Sequence, residues 1–163
     1  MAYILDLKND QLVKAEIVVP KPDEIPLVKD GWNFNWRDLS KEKNARMVVL
    51  RTIEPNPSIE GALQLKIENE MLIMSVLEIA PHNIGQKNKK YDYVAGCLIA
   101  FACRESFKLE SAYKGFLTFM SKTSLIKWYS EKYGASLGLG QRMYIDSEEG
   151  MKLINEYLER KYY

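Results

Sequence analysis

The chain has 163 residues, of which 47% are apolar, and its 23 Lys and Arg against 22 Asp and Glu give a net charge of +1. This length predicts one domain over residues 1–163, and the balanced charge excludes a global field that would recruit nucleic acid or an anionic membrane. The longest apolar run, Val94 to Cys103, is about half of what a bilayer-spanning helix requires, so we expect a cytoplasmic protein with neither a membrane nor a nucleic-acid partner.

Four strands are expected in the first half of the chain. They are Tyr3–Leu7, Val13–Val19, Arg46–Ile53 and Gly61–Ile67. In the last of these, Leu63, Leu65 and Ile67 alternate with Gln64 and Lys66, which is typical of a half-exposed strand. The region between the second and third strands has no clear period, but it concentrates three large aromatic side chains: Trp32, Phe34 and Trp36.

The second half alternates strands with helices. Strands are expected at Met71–Ile79, Gly115–Ser121 and Leu137–Ile145, and helices at Tyr91–Phe107, at Ser124–Tyr133 and from a cap at Asp146 or Ser147 to Tyr162. The strand from Met71 shows little alternation, as expected for a central strand covered on both faces. Cys97 and Cys103 fall on one predicted helix without a His-Cys cluster, which predicts buried free thiols and no metal site. The order of elements predicts an α/β or α+β layer fold with a mixed central sheet.

A strand, a basic loop and a very apolar helix follow one another between Leu72 and Cys103. A loop that feeds a helix leaves the N–H groups of the first turn unpaired, and together with the helix dipole they favour a phosphate or pyrophosphate. Lys87, Lys89 and Lys90 crowd this entry. The segment therefore predicts an anion cradle, with a solvated basic loop as the alternative.

The same segment resembles motif A of the GNAT superfamily of acyl-coenzyme A-dependent N-acetyltransferases. In that motif, a strand ending in hydrophobic-x-Pro leads to Gln/Arg-x-x-Gly-x-Gly/Ala and a helix. Ile79-Ala80-Pro81 matches the strand end, and Lys90-Tyr91-Asp92-Tyr93-Val94-Ala95 aligns with the pattern, with Tyr93 at the central glycine. The resemblance covers residues 71–145. It implies a GNAT-like, mixed but mainly antiparallel sheet flanked by helices, and acetyl-coenzyme A (acetyl-CoA) as the acyl donor.

The resemblance also implies which residues bind acetyl-CoA. Backbone groups of Leu77, Ile79 and Ala80 would hold the pantetheine arm in a gap beside the strand Gly115–Ser121, because a strand end without a lateral partner has free N–H and C=O groups. The alternative is that these two strands simply pair. The pyrophosphate would lie on the turn formed by Lys90, Tyr91, Asp92, Tyr93, Val94 and Ala95.

Two residues are candidates for catalysis, since acyl transfer to an amine needs a base for the nucleophile and an acid for the leaving thiolate. Glu78 interrupts an apolar run and is the candidate base, with a surface-facing or hydrogen-bonded glutamate as the alternative. Tyr129 is the candidate acid, because the resemblance places a tyrosine near the end of this helix; packing on the apolar stripe is the alternative. His82, the only histidine, is interpreted as a solvated loop residue.

These features predict an N-acetyltransferase that moves an acetyl group directly from acetyl-CoA to an amine of a small-molecule or peptide acceptor. A catalytically inactive GNAT-fold module for ligand or protein binding is the alternative, because Tyr93 replaces the motif glycine. A toxin that acetylates charged transfer RNA is a third hypothesis, to which the balanced charge lends little support. The oligomeric state is left open, a homodimer included. The cluster of Trp32, Phe34 and Trp36 either lines the acceptor pocket or closes the edge of the sheet.

Overall fold

Nine strands form a single sheet within residues 1–53, 56–85 and 87–160, the part of the chain that the computed structural model describes. The strands are β1 Ala2–Asp6, β2 Gln11–Val18, β3 Ala45–Thr52, β4 Ile59–Glu68, β5 Met71–Ile79, β6 Tyr91–Asp92, β7 Leu117–Met120, β8 Ser136–Leu137 and β9 Arg142–Ile145. The α-helices are α1 Trp36–Leu39, α2 Val94–Ser106, α3 Ile126–Tyr133 and α4 Ser147–Tyr157. None of the described helices is long and apolar enough to cross a membrane.

The strands lie in the order β6-β1-β2-β3-β4-β5-β7-β9-β8. Neighbouring strands are antiparallel except for β5 and β7, which pair in parallel. The crossover from β5 to β7 contains α2, as a parallel connection requires. The prediction of a mixed, mainly antiparallel sheet flanked by helices is therefore confirmed.

Apolar residues cover the two faces of the sheet unequally. The larger core lies under α2, whose side chains are almost all buried, and it extends to Leu153, Ile154 and Tyr157 of α4. Cys97 and Cys103 lie in this core as free thiols, as predicted, and burial raises the pKa of each to about 12. The smaller core lies on the other face and consists of Trp32, Trp36, Met47, Val49, Ala62 and Ala80.

Several sequence expectations need correction. The strand at 59–68 is not half-exposed, because the Gln64 side chain is buried beneath the chain after α1 and donates to the Leu39 carbonyl. Residues 91–92 form β6 beside β1 and do not begin the helix. The expected strand from Leu137 to Ile145 is a hairpin that turns through the glycines at 138 and 140. The last helix is capped by Asp146 and ends at Tyr157, and the predicted end at Tyr162 lies outside the described residues.

A β-bulge at Ser75 changes which side chains of β5 face α2. Gln64 of β4 pairs with Val76 and the next residue of β4 pairs with Met74, so Ser75 is the extra residue. The Ser75 hydroxyl donates to the Gln64 side-chain oxygen at 2.6 Å. Before the bulge, even-numbered residues pack in the larger core, whereas after it Leu77 and Ile79 do. The weak alternation of this strand therefore results from a change of register, and not only from burial of both faces.

Gly96 allows α4 to pack closely on the first turn of α2. A Cβ atom at this position would overlap the ring of Tyr157. We expect Gly96→Ala to lower the free energy of unfolding by about 1–3 kcal/mol, because the overlap outweighs the better helix propensity of alanine. Urea denaturation measures this change.

The matched control for this prediction is Gly150→Ala, which also replaces a helical glycine. A Cβ there would lie 3.4 Å from Cβ of Cys103, which is an ordinary contact distance. This variant should be neutral or more stable by up to about 1 kcal/mol. Equal stability of the two variants would contradict the packing argument.

Candidate functional site

A gap opens in the sheet between β5 and β7. The two strands pair only at Leu72 with Leu117 and at Ile73 with Thr118. Just beyond these pairs the bulge at Ser75 bends β5, as bulges do. Both sequence alternatives thus hold in part, because the strands pair over a short stretch and then separate.

Backbone groups of β5 face this gap. The Ala80 N–H donates to the carbonyl of Glu60, near the start of β4, at 2.9 Å. Successive residues of an antiparallel strand direct their N–H and C=O groups to opposite sides, so Leu77 and Ile79 direct theirs away from β4 and into the gap. Leu77 and Ile79 therefore lie where the sequence places the pantetheine contacts, whereas the N–H of the buried Ala80 is already paired.

A cavity of about 730 Å³ lies on the α2 side of the gap. It extends from Leu77 and Ile79 to the first turn of α2, where no side chain caps the free N–H groups. The residues that line the cavity around this turn are Asn83, Ile84, Lys89, Tyr91, Asp92, Tyr93, Val94, Ala95 and Gly96. The opposite wall of the cavity is formed mainly by α3 and Tyr157. The cavity thus joins a strand edge with free backbone groups to a helix N-terminus.

Tyr93 has a backbone conformation that favours glycine. It is the residue before α2, and its φ of 75° lies in the left-handed region, which is costly for a residue with a Cβ. Its ring contacts residues at and just after the end of α4: the Arg160 guanidinium lies 4.0 Å from the ring centroid, and the centroid of the Tyr157 ring lies 6.2 Å away. The alignment of Tyr93 with the central glycine therefore agrees with the local geometry, although the side chain differs.

Asp92 and Lys89 form the charged part of this cradle. Lys89 donates to the Asp92 carboxylate at 3.0 Å, and the Tyr93 N–H donates to the same oxygen at 2.8 Å. Burial raises the pKa of Asp92, but these hydrogen bonds and the charges of Lys89 and Lys132 outweigh it, so the pKa lies below its ordinary value. Lys90, the cation that the sequence aligned with the motif, is exposed and does not line the cavity; Lys89 does.

A buried carboxylate holds the basic loop in place. Glu60 is fully buried and accepts hydrogen bonds from the side chains of Ser58, Asn83 and His82. The Asn83 side-chain oxygen accepts the Tyr91 N–H at 2.9 Å, which ties this network to the start of β6. His82 is exposed, as expected for a solvated loop residue, and it is also hydrogen-bonded to the buried carboxylate.

A second cavity of about 260 Å³ opens at the gap and is lined from both faces of the sheet, because Met74 and Phe119 belong to the larger core and Val76 packs against the smaller core. It shares Leu77, Leu125 and Tyr129 with the larger cavity, so the two cavities meet at the gap between β5 and β7. Its remaining lining consists of Phe34, Met74, Ser75, Val76, Phe119, Met120, Ser121 and Lys122. A molecule lying in the gap could therefore contact both faces of the sheet.

Tyr129 lies at the junction of the two cavities. Its ring packs against Phe119, with a centroid distance of 4.8 Å, and against Trp128 at 4.9 Å. Burial raises the pKa of its hydroxyl above the ordinary value. The packing that the sequence offered as the alternative is present, while the role of Tyr129 as the acid stays a prediction.

Glu78 faces away from the larger cavity. It is 6% exposed, and its carboxylate accepts the N–H groups of Asn33 at 2.6 Å, Phe34 at 3.2 Å and the Trp36 indole at 2.8 Å. These bonds anchor the aromatic segment 32–36 on β5. Glu78 therefore stabilises the local structure through these hydrogen bonds, while its role as the general base stays a prediction.

The three aromatic residues at positions 32, 34 and 36 do not all have the same environment. Trp32 and Trp36 are buried in the smaller core, which agrees with a plug against the sheet. Phe34 is 47% exposed and lines the smaller cavity. One segment thus both closes the sheet and places one ring beside the gap.

Sequence comparison finds no matching family model and no significantly similar curated protein, whereas structural comparison finds similar solved chains. A chain of the KacTA–DNA complex matches with a TM-score of 0.60 and 13% identity, over 88% of this chain and 99% of that one. AtaT complexed with acetyl-methionyl-tRNAfMet matches with 0.60 and 12%, over 86% and 99%. A spermidine N-acetyltransferase, a SpeG chimera from Vibrio cholerae and hSSAT, matches with 0.57 and 16%, over 84% and 98%. At these identities the likeness shows the fold alone.

Proposed function

Because this chain has the GNAT acetyltransferase fold, we propose that it is an N-acetyltransferase that moves an acetyl group from acetyl-CoA to an amine. The observation that carries the proposal is the gap between β5 and β7, which joins the cavity at the α2 N-terminus to the smaller cavity. A similar solved structure, AtaTR, is bound with acetyl-CoA. The gap gives a thioester a path across the sheet.

The proposal assigns the coenzyme to the larger cavity. The free N–H and C=O groups of Leu77 and Ile79 would pair with the pantetheine amides, as an added strand would. The N–H groups of Tyr93, Val94, Ala95 and Gly96, with the Lys89 ammonium, would hold the pyrophosphate. The acetyl group would then point toward the smaller cavity.

In the reaction, the acceptor nitrogen attacks the thioester carbonyl carbon and the C–S bond breaks. The sulfur takes a proton, for which Tyr129 is the proposed donor because it lies at the junction of the two cavities and its raised pKa keeps it protonated. The attacking amine loses one proton to solvent, and the Tyr129 phenolate takes up one proton from solvent, so the exchange balances.

Calorimetric titration with acetyl-CoA tests the donor. We expect micromolar binding, about −8 kcal/mol, with dephospho-coenzyme A and adenosine diphosphate as comparison ligands. Release of free thiol in the presence of a panel of amines then tests transfer. Failure to bind acetyl-CoA would reject the proposed activity.

The smaller cavity also bears on the acceptor. Lys122 is the charged residue among its described lining residues, which include no carboxylate. A polyamine would place its additional positive charges beside this lysine without a counter-charge, whereas an amine next to an apolar group fits Phe34, Met120 and Leu125. In the amine panel we therefore propose that a single-amine, apolar acceptor outperforms spermidine.

An inactive GNAT-fold module for ligand or protein binding is the second candidate. The side chain of Tyr93 at the glycine position and the negative charge of Asp92 in the cradle favour it. Undetectable acetyl-CoA binding would select this candidate, whereas thiol release with any amine would reject it.

A further inference from the structure

The carboxylate of Asp92 lies where the proposed site needs to receive an anion. One of its oxygens accepts both the Tyr93 N–H, 2.8 Å away, and the Lys89 ammonium, 3.0 Å away. Lys89, Asp92 and Tyr93 all line the larger cavity next to the uncapped first turn of α2. Two donors that a diphosphate would use are therefore already occupied by a side chain of the protein.

The backbone fixes Asp92 in this position. Asp92 pairs with Leu5 of β1, and Lys90 accepts the Leu7 N–H at 3.1 Å. On the edge of β6 that faces away from β1, the Tyr91 N–H donates to the side-chain oxygen of Asn83. Because the backbone is held on both sides, the carboxylate would leave the Tyr93 N–H by rotation of the Asp92 side chain, and it would separate from Lys89 by rotation of either side chain.

Resting on the proposed function, we propose that Asp92 is an affinity-determining residue that competes with the coenzyme diphosphate for Lys89 and the Tyr93 N–H. Binding of acetyl-CoA then requires the carboxylate to rotate away and leaves two anions close together, which lowers affinity. The cost applies only to acyl donors that carry phosphate groups. Pantetheine thioesters that end before the phosphates do not meet Asp92.

The test compares the full-length protein with Asp92→Asn in titrations with acetyl-CoA and with acetyl-pantetheine, which lacks phosphate. Asparagine keeps an oxygen for the Tyr93 N–H but removes the charge. We expect the variant to bind acetyl-CoA about tenfold more tightly, equal to about 1.4 kcal/mol, and to bind acetyl-pantetheine as the wild type does. Asp23→Asn, an exposed carboxylate on the chain after β2, controls for net charge and should change neither titration.

The outcomes separate this inference from the proposed function. If the wild type binds acetyl-CoA and Asp92→Asn binds it equally or more weakly, the inference is overturned and the proposed function remains. If neither protein binds acetyl-CoA, both are overturned. Should Asp92→Asn fail to fold, Asp92→Ser is measured in its place, and failure of both to fold would show that the carboxylate is needed for structure and overturn the inference.

Discussion

Replacing Tyr129 by phenylalanine is expected to lower kcat by about 100-fold or more, the scale of a lost general acid. The ring would keep its packing against Phe119 and Trp128, so the free energy of unfolding should change by less than about 1 kcal/mol. Steady-state kinetics with acetyl-CoA and denaturation of the same samples measure the two quantities.

The pH dependence gives this prediction a second readout. Burial raises the pKa of the Tyr129 hydroxyl, and an acid must be protonated to act, so the wild-type rate should fall only above the ordinary tyrosine pKa of about 10. Tyr129→Phe should lack this decline. Tyr113→Phe, at a partly exposed tyrosine outside both cavities, is the control. An unchanged kcat in Tyr129→Phe would remove the acid assignment.

Glu78→Gln is expected to lower the free energy of unfolding by about 1–3 kcal/mol. Three N–H donors converge on the carboxylate, and a glutamine amide would bring its own N–H group against at least one of them. The aromatic segment 32–36 should loosen, and with it Phe34 beside the smaller cavity. Thermal denaturation measures the stability, and the KM of the acceptor measures the second effect.

Glu78→Gln also distinguishes two roles of the Glu78 carboxylate, namely anchoring segment 32–36 and acting as the general base. A lost base lowers kcat by about 10²–10⁴-fold and leaves the stability unchanged. A lost anchor lowers stability and raises the acceptor KM, with a smaller change in kcat. Glu68→Gln, at the exposed end of β4, should change neither stability nor kinetics. A stable Glu78→Gln protein with a collapsed kcat would support the sequence prediction.

The sequence predicted the fold well where long apolar segments mark buried elements. The strand, loop and apolar helix around Pro81 predicted the crossover correctly, because α2 is buried along nearly its whole length. The register within β5 could not be predicted, since the bulge at Ser75 depends on a hydrogen bond to Gln64 of the neighbouring strand. That bulge turns Glu78 toward the smaller core and away from the larger cavity.

The candidate site was predictable in its backbone and less so in its side chains. The sequence aligned Tyr93 with the motif glycine, and Tyr93 has a φ of 75°, in the left-handed region that favours glycine. By contrast, the contacts of Glu60 with His82 and Asn83 join residues more than twenty positions apart, and no local pattern marks them. The sequence predicted Lys90 in the cradle, whereas Lys89 lines the cavity, because the pairing of β6 with β1 sets the orientation of this segment.

The short pairing between β5 and β7 affects how cooperatively the sheet unfolds. In the described part of the chain, two residue pairs connect the strands from β6 to β5 with the group β7-β9-β8. A connection of only two residue pairs divides a sheet into parts whose local unfolding can have different free energies. A coenzyme arm seated in the gap would supply the missing cross-strand bonds, so the acyl donor would also be the element that makes the two parts of the sheet unfold as one.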